Sequence, residues 1–175
     1  GKLISGGPEH GRQFLNMVNA EVDGEYFHAL LQYHKALKAR NALLKAIREE
    51  KSDQKELYFW NTVLSKEGTY ITLRRLENID FFNEKLSKQY MSLAGNVHEM
   101  TLVYRSHLLN GEQREQKDLR EKYLAHLTSG LAYDLQTLST NFGPHRDSIR
   151  FFLNGQNMKE YASRGEIRTA LLALK

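Results

Sequence analysis

Two short stretches late in the chain hold the residue types best suited to chemistry. In Tyr161-Ala162-Ser163-Arg164-Gly165-Glu166-Ile167-Arg168-Thr169, a small residue, a hydroxyl and a glycine run straight into an apolar series at helical spacing. That pattern gathers free backbone N–H groups and the positive end of a helix around one point, which suits a phosphate. Shortly upstream, Gly143-Pro144-His145-Arg146-Asp147 adds an imidazole, a guanidinium and a carboxylate. The same letters also have a purely structural reading. Ser163 and Glu166 form a capping box, in which the hydroxyl takes a backbone N–H and the carboxylate reaches back to the cap, and such boxes open many helices far from any ligand.

Little else in the chain competes as a reaction centre. The seven histidines lack the H-x-x-x-H or H-E-x-x-H spacing of a zinc site, so no metal site is expected. The absence of cysteine excludes disulfides and thiolate ligands and fits a reducing compartment. No nucleophile with a neighbouring base stands out, since Ser163 is flanked by Arg164 and Glu166 and His145 suits anion contact better; no catalytic residue is assigned. No apolar run approaches the ~20 residues of a membrane span, and no charged-then-apolar leader opens the chain, so a cytoplasmic protein without membrane contact is expected. The 175 residues, 41% apolar, can build a core, and their net charge of +4 tilts weakly toward an acidic partner.

The elements that must position these loops read mainly as helices. After a glycine-rich connector over 1–7, Pro8 fits the first turn of a short helix carrying Phe14, Leu15 and Val18, which Asp23-Gly24 breaks. From 25 to about 51 a second helix places Phe27, Leu30, Leu37 and Leu44 on one face, flanked by Leu31, Leu43 and Ile47. His34 and Asn41 lie on that seam, where they either fix register or mark a docking surface. Ser52 or Asp53 caps a third helix, with Glu56 completing the cap. Its stripe of Leu57, Trp60, Leu64, Ile71, Ile79, Phe82, Leu86, Tyr90 and Leu93 also carries Gly68 and Arg75 and repeats every eleven residues. That period predicts a nearly straight helix, with any bend at Gly68, paired antiparallel with the second as an arm.

Beyond Gly95-Asn96, Met100, Leu102 and Tyr104 alternate as a strand, and Asn110-Gly111 turns the chain. A charged helix over 112–127 faces inward with Leu119, Tyr123 and Leu127, and a shorter helical stretch covers 131–138. Ile149, Phe151 and Leu153 then lead into Asn154-Gly155 and back through 158–161, a hairpin that delivers Ser163. The expected class is α+β, mainly α. The expected division is 1–94, an arm with a leading helix, and 95–175, a strand, helix and hairpin segment carrying the Ser163 loop.

The Gly-Pro-His-Arg-Asp loop and the Ala-Ser-Arg-Gly-Glu-x-Arg-Thr stretch, in this order and at this distance, resemble the RecF family. These are bacterial recombination-repair ATPases related to the structural-maintenance-of-chromosomes proteins. Gly6-Gly7-Pro8-Glu9 with Arg12-Gln13-Phe14-Leu15-Asn16 is similar to the family's Gly-x-Pro-Glu-x-Arg-Arg-x-Phe-Leu-Asp. The run from Tyr33 through Leu37, Arg40, Asn41, Leu43, Leu44 and Lys45 resembles its Tyr-x-x-x-Leu-x-x-Arg-Asn-x-Leu-Leu-Lys. Trp60, Asp134 and Thr140 also sit at familiar spacing. Departures are Gly11 for Arg, Asn16 for Asp, Ser148 for a second Asp and Glu166 for Gln.

The resemblance implies a long antiparallel helical hairpin arm, attached to a small β-hairpin and the signature helix of an ABC-type ATPase head. Ser163, Arg164, Gly165 and Glu166 would be a signature that meets the γ-phosphate of ATP held by a sister subunit. Gly143, His145, Arg146 and Asp147 would face that nucleotide or brace the signature loop, with Asp147 holding Arg146. Lys38, Arg40, Lys45, Arg74 and Arg75 would be the DNA phosphate contacts. ATP and Mg2+ would be cofactors of the complete protein and none of this piece, because the phosphate loop is expected before Gly1 and the paired acids after Lys175. The piece alone would therefore not hydrolyse ATP. The implied partners are duplex DNA at single-strand gaps, an ATP-dependent homodimer, and RecO and RecR. The implied setting is recombination, replication and the SOS response at the nucleoid. Two other readings stand beside it: a helical coiled-hairpin protein-interaction module with no nucleotide role, and a head from a chromosome-organising ATPase, whose arms are far longer.

Overall fold

A computed structural model describes residues 8–93, 100–109, 116–153 and 155–157. Its helices are α1 (Pro8–Val22), α2 (Gly24–Arg48), α3 (Leu57–Leu93), α4 (Gln116–Ser129) and α5 (Leu131–Thr137), with a 3-10 turn, Gln54–Glu56, ahead of α3. Strands β1 (Met100–Arg105), β2 (Ser148–Leu153) and β3 (Gln156–Asn157) make one sheet. The class is mainly α with a small antiparallel sheet, as the periodicities imply. The expected 1–7 connector, the Gly95-Asn96 and Asn110-Gly111 turns, Asn154, the return strand over 158–161 and the Ser163 helix lie outside the described residues. So do the side chains of Phe14, Val18, Leu86, Tyr90, Leu93, Met100, Phe151 and Leu153.

Contacts gather the chain into two compact units, one of 1–19, 75–105 and 147–175, the other of 20–74 and 106–146. They interleave in sequence, because α3 supplies residues up to 74 to one and from 75 to the other.

In the second unit the antiparallel arm is present. Arg40 bonds Asn61, Tyr33 lies against Gly68 and Asp23 meets Arg74, so α3 residue numbers rise as α2 numbers fall. Local chemistry fixes both ends. Asp23 sits in extended backbone (φ −135, ψ 101) and its Oδ1 accepts the N–H groups of Glu25 and Tyr26 at 3.0 and 3.1 Å, capping α2. At the far end Lys51 N–H returns to Ala46 O at 2.8 Å, closing a Schellman turn with Glu50 in the left-handed region (φ 58). The Asp53–Glu56 capping box then starts the 3-10 turn, as its spacing predicts.

The buried faces differ in how well the pattern anticipates them. On α3, Leu57, Leu64, Gly68, Ile71, Arg75, Ile79 and Phe82 are buried and Trp60 half-buried, which is the eleven-residue stripe. On α2 the buried stripe is Tyr26, Ala29, Tyr33, Ala36, Arg40 and Leu44, while Phe27 and Leu31 face out at 51% and 53% exposure. The inward face is thus rotated from the expected seam: Leu44 stays buried and Leu30 and Leu37 pack half-buried against the core, while Phe27 and Leu31 leave it. The opposing surface of α3 is small at Gly68, where a Cβ would come within 2.6 Å of the Tyr123 ring and 3.1 Å of the Tyr33 ring. Rings fill that space and alanines allow the approach. The core they form includes Leu64, Ile71, Leu108, Leu119 and Leu127, each worth about 1.5–3 kcal/mol when fully buried.

In the first unit, β1 and β2 pair antiparallel with Leu102 opposite Phe151 and Tyr104 opposite Ile149. Gly155 (φ 76) turns β2 into β3. The Asn83 amide holds β1 by both groups, donating to Leu102 O at 2.9 Å and accepting from Leu102 N–H at 2.8 Å. Arg75 donates to Asn16 Oδ1 at 2.9 Å, and Asn78 to Asn19 Oδ1 at 2.8 Å.

Asp23 serves α2 as cap and α3 as ion partner, with Arg74 Nη2 2.9 Å from its Oδ2. Burial pushes the carboxyl up, but the Tyr26 N–H, Arg74 and the Glu25 N–H outweigh it and hold Asp23 below its ordinary 3.8. A depressed carboxylate contributes stability above its unfolded value and loses it as pH falls through the folded one. Asp23→Ala should cost about 1–2 kcal/mol at neutral pH, and this gap from the parent should narrow as pH falls below the ordinary value of 3.8, leaving the part that a neutral cap supplies. Asp23→Asn keeps the cap and should cost under about 1 kcal/mol. Thermal denaturation of the three proteins at neutral and strongly acidic pH checks both.

Candidate functional site

The described part of the chemistry-bearing region is the segment from α5 to β2. Leu138 ends α5 in the left-handed region (φ 52, ψ 35), and Ser139 N–H returns to Asp134 O at 3.2 Å. The next residues are then gripped one by one from α2.

Arg40 is the centre of that grip. It is 0% exposed, and every guanidinium nitrogen has a partner: Nε donates to Asn61 Oδ1 at 2.7 Å, Nη1 to Asp134 Oδ2 at 2.8 Å and to Thr140 Oγ1 at 2.7 Å, and Nη2 to Leu127 O at 3.4 Å. The second oxygen of Asp134 accepts from Asn141 N and Nδ2 at 3.0 and 2.9 Å. Thr140 gives both its N–H and its hydroxyl hydrogen to Asn41 Oδ1, at 2.8 and 2.7 Å. A buried charge pair is tolerable only when its remaining donors and acceptors are satisfied in this way.

A second cluster holds the next turn. His145 Nε2 is 2.8 Å from Thr140 O, which can only accept, so Nε2 carries the hydrogen. Its Nδ1 lies 2.6 Å from the Tyr33 hydroxyl, the Tyr33 and Tyr123 hydroxyls are 2.9 Å apart, and Tyr123 donates to Phe142 O at 3.3 Å. Gly143 (φ 134) passes beside both phenols, and a Cβ there would collide with the Tyr33 and Tyr123 hydroxyls. Glycine is required at this point for both its backbone angle and its lack of a side chain. Phe142 stacks on His126 at 4.3 Å and meets Tyr123 edge-on at 5.2 Å. Arg146 donates to Ser139 Oγ at 3.0 Å and to Asn141 Oδ1 and Thr140 O at 3.4 Å each.

These contacts sort the residues that the sequence singles out. Gly143, His145 and Arg146 are joined to α2 and to the 139–141 segment. The expected role of Asp147 as holder of Arg146 is filled instead by Ser139, Thr140 and Asn141. In the other unit, Asp147 is buried and takes the Tyr104 hydroxyl on Oδ2 at 2.7 Å, while its carbonyl accepts from Arg12 at 2.6 Å. Two of the expected DNA contacts are corrected: Arg40, enclosed as above, and Arg75, 2% exposed and bonded to Asn16, have no surface to offer a phosphate. Arg74 clamps Asp23. Lys38 and Lys45 are exposed. Asn41 serves the Thr140 segment instead of helix register, and His34 is exposed. Ser163, Arg164, Gly165 and Glu166 lie outside the described residues.

Tyr33, Tyr123 and Asn61 carry roles that pattern reading missed. Their signal was available: a stripe drawn through Tyr26, Ala29, Tyr33 and Ala36 runs straight into Arg40 and marks it as an inward charge needing partners. Among the described residues no group of three or more His, Asp or Glu could hold a metal ion, and no helix is long and apolar enough to cross a membrane.

Comparison with known proteins gives a consistent result. No family model matches the chain. It is 34% identical over 174 residues to a DNA replication and repair protein RecF from Caldanaerobacter subterraneus subsp. tengcongensis, covering 99% of this chain and 47% of that protein. It is 31% identical over 178 residues to a protein of the same description from Roseiflexus castenholzii, covering 99% and 45%. Among solved structures it is similar to the recombination mediator protein RecF-ATPrS in the RecFOR pathway, with a TM-score of 0.83 at 34% identity, over 99% of this chain and 46% of that one. A RecF-ATP structure of the same pathway gives 0.82 at 34% identity, with the same coverage. The chain thus spans about half the length of the relatives it matches.

The Arg40 network generates a quantitative expectation. Asp134→Leu or Arg40→Met alone strands one buried charge and should cost about 3–5 kcal/mol. The double substitution strands none and should cost well under the sum of the two. Urea denaturation of the four proteins, read as a double-mutant cycle, measures the difference, and additive losses would contradict the coupling.

Proposed function

Since this chain is RecF-like throughout, we propose that it supplies the helical arm and the signature segment of an ATP-dependent DNA-binding protein of recombinational repair. The observation that carries this reading is the likeness over 99% of the chain, in sequence and in fold, to RecF proteins, among them structures described as RecF-ATPrS and RecF-ATP in the RecFOR pathway. It favours this reading over an interaction module without a nucleotide.

In the proposed mechanism Ser163 donates its hydroxyl, and Gly165 its backbone N–H, to the γ-phosphate of ATP held with Mg2+ by a sister molecule. When bound there, the nucleotide supplies negative charge that bridges two copies. The chain's own part is electrostatic clamping, with no bond made by its side chains. Arg164 and Glu166 flank the clamp, the latter as partner of Ser163 in the capping box. The 139–146 segment acts as the brace, with His145 and Arg146 turned to Thr140, Ser139 and Asn141. We place the second compact unit as the arm and the hairpin-bearing residues beyond 147 as part of the head. Closed around duplex DNA beside a gap, the dimer grips backbone phosphates without reading bases. Lys38 and Lys45, exposed on α2, are the contacts this chain retains for that role. RecO and RecR complete the pathway, in a cytoplasmic protein that follows the nucleoid through replication, recombination and the SOS response.

In the intact protein, Ser163→Arg should abolish ATP-induced dimerisation, as measured by sedimentation with and without ATP, at a stability cost of about 1 kcal/mol, that of a lost cap. Lys38→Glu with Lys45→Glu should weaken duplex DNA binding and flatten its salt dependence. Dimerisation that survives Ser163→Arg would remove the signature role.

A further inference from the structure

The expected inward seam of α2 contains two large apolar side chains that the fold turns outward. Phe27 and Leu31 are each about half exposed. They stand one helical turn apart, on the side of α2 opposite its buried stripe. The same outer stripe continues through His34, Lys35, Lys38 and Lys45, all exposed. Glu25, in the first turn and off this stripe, is the sole acid of α2. Among the described residues none of the three lysines has an ion pair. Lysines gathered on one face repel one another, and exposed phenyl and isobutyl groups cost solvation, so neither feature serves the helix itself.

We propose that the outer face of α2 is a docking surface for a partner protein, which presents an acidic segment bearing apolar side chains. Phe27 and Leu31 would receive the apolar anchors and Lys35, Lys38 and Lys45 the carboxylates. Charge complementarity selects this occupant. A second copy of the chain brings the same acid-free face, so lysine would meet lysine. A DNA backbone satisfies the lysines and leaves Phe27 and Leu31 against water, since phosphate and sugar present no large apolar surface. An acidic, apolar segment satisfies both halves of the stripe, and a helix fixed along its whole inner face offers that stripe pre-ordered. The site goes beyond the DNA-clamp reading and shares Lys38 and Lys45 with it, so an acidic segment and a duplex would compete for those two lysines.

The test is a selection of displayed random short peptides on this chain, followed by affinity measurement of the enriched peptides and of a short DNA duplex. Enriched peptides should combine Asp or Glu with Phe, Leu, Ile or Trp. Phe27→Ser with Leu31→Ser should weaken them at least about tenfold, the equivalent of one partly buried large side chain, and leave duplex affinity unchanged. Lys35→Ser with Lys38→Ser should also weaken them. Both substitutions lie on the solvent face, and circular dichroism confirms that the helices persist. Enrichment of peptides without acids would overturn the proposal. So would peptides indifferent to the Phe27 and Leu31 changes. An equal loss of duplex affinity in that variant would assign the face to DNA, and a shift from dimer to monomer on sedimentation would assign it to a second copy.

Discussion

A single guanidinium with no surface in water organises the unit of 20–74 and 106–146. A guanidinium carries its charge and its five N–H donors into the interior with it, so the fold must bring acceptors to Arg40. Those acceptors come from α3, α5, the last turns of α4 and the 139–141 segment. Each of these elements can lie in only one place if the charge is to be satisfied. The net stabilisation from such a pair is small once desolvation is counted, whereas the cost of a misplaced partner is large. The network therefore acts more as a constraint on geometry than as a source of stability.

The tyrosine cluster uses the opposite device, close packing against absent side chains. Tyr33 and Tyr123 lie between Gly68 on one side and Gly143 on the other, and a methyl group at either glycine would meet a ring or a hydroxyl. Because the hydroxyls are trapped there, they join Tyr123, Tyr33 and His145 in one chain, with His145 passing its Nε2 hydrogen to Thr140 O. Thr140 is shared with the Arg40 network, so charge and packing converge on one residue between α5 and β2. A segment held by both mechanisms behaves as a rigid strut.

What was legible in the sequence was local. The α3 stripe, the Asp53–Glu56 box and the turn at Gly155 depend on periodicity or on bonds between near neighbours, and each sits where its spacing put it. The face of α2 was misjudged because hydrophobic weight lies with its leucines and Phe27, while the partner surface asks for rings, small residues and one charge. No local rule states that requirement; it comes from Gly68 and Asp134, which lie far along the chain. Arg40 and Arg75 read as surface cations for the same reason, since an arginine reveals its burial only through partners such as Asn61 and Asn16. The interleaved units follow from a helix long enough to serve both, which composition does not announce.

The division of labour along α2 then has a physical cause. Arginine presents several donors in a rigid plane and loses little on being fixed among many acceptors, so it suits the inner position at 40. Lysine keeps a strongly hydrated point charge on a flexible stem, so Lys35, Lys38 and Lys45 suit the outer stripe, where a charge must reach an incoming partner while remaining in water. Had the helix been held by a fluid leucine seam, that outer stripe could rotate with every fluctuation of the packing. Because Arg40 and Tyr33 pin the inner face through directional bonds, the rotation of the helix about its axis is set. The spacing of Phe27, Leu31 and the lysines is thereby held fixed for whatever binds them, so the buried charge and the exposed ones are consequences of the same locked helix.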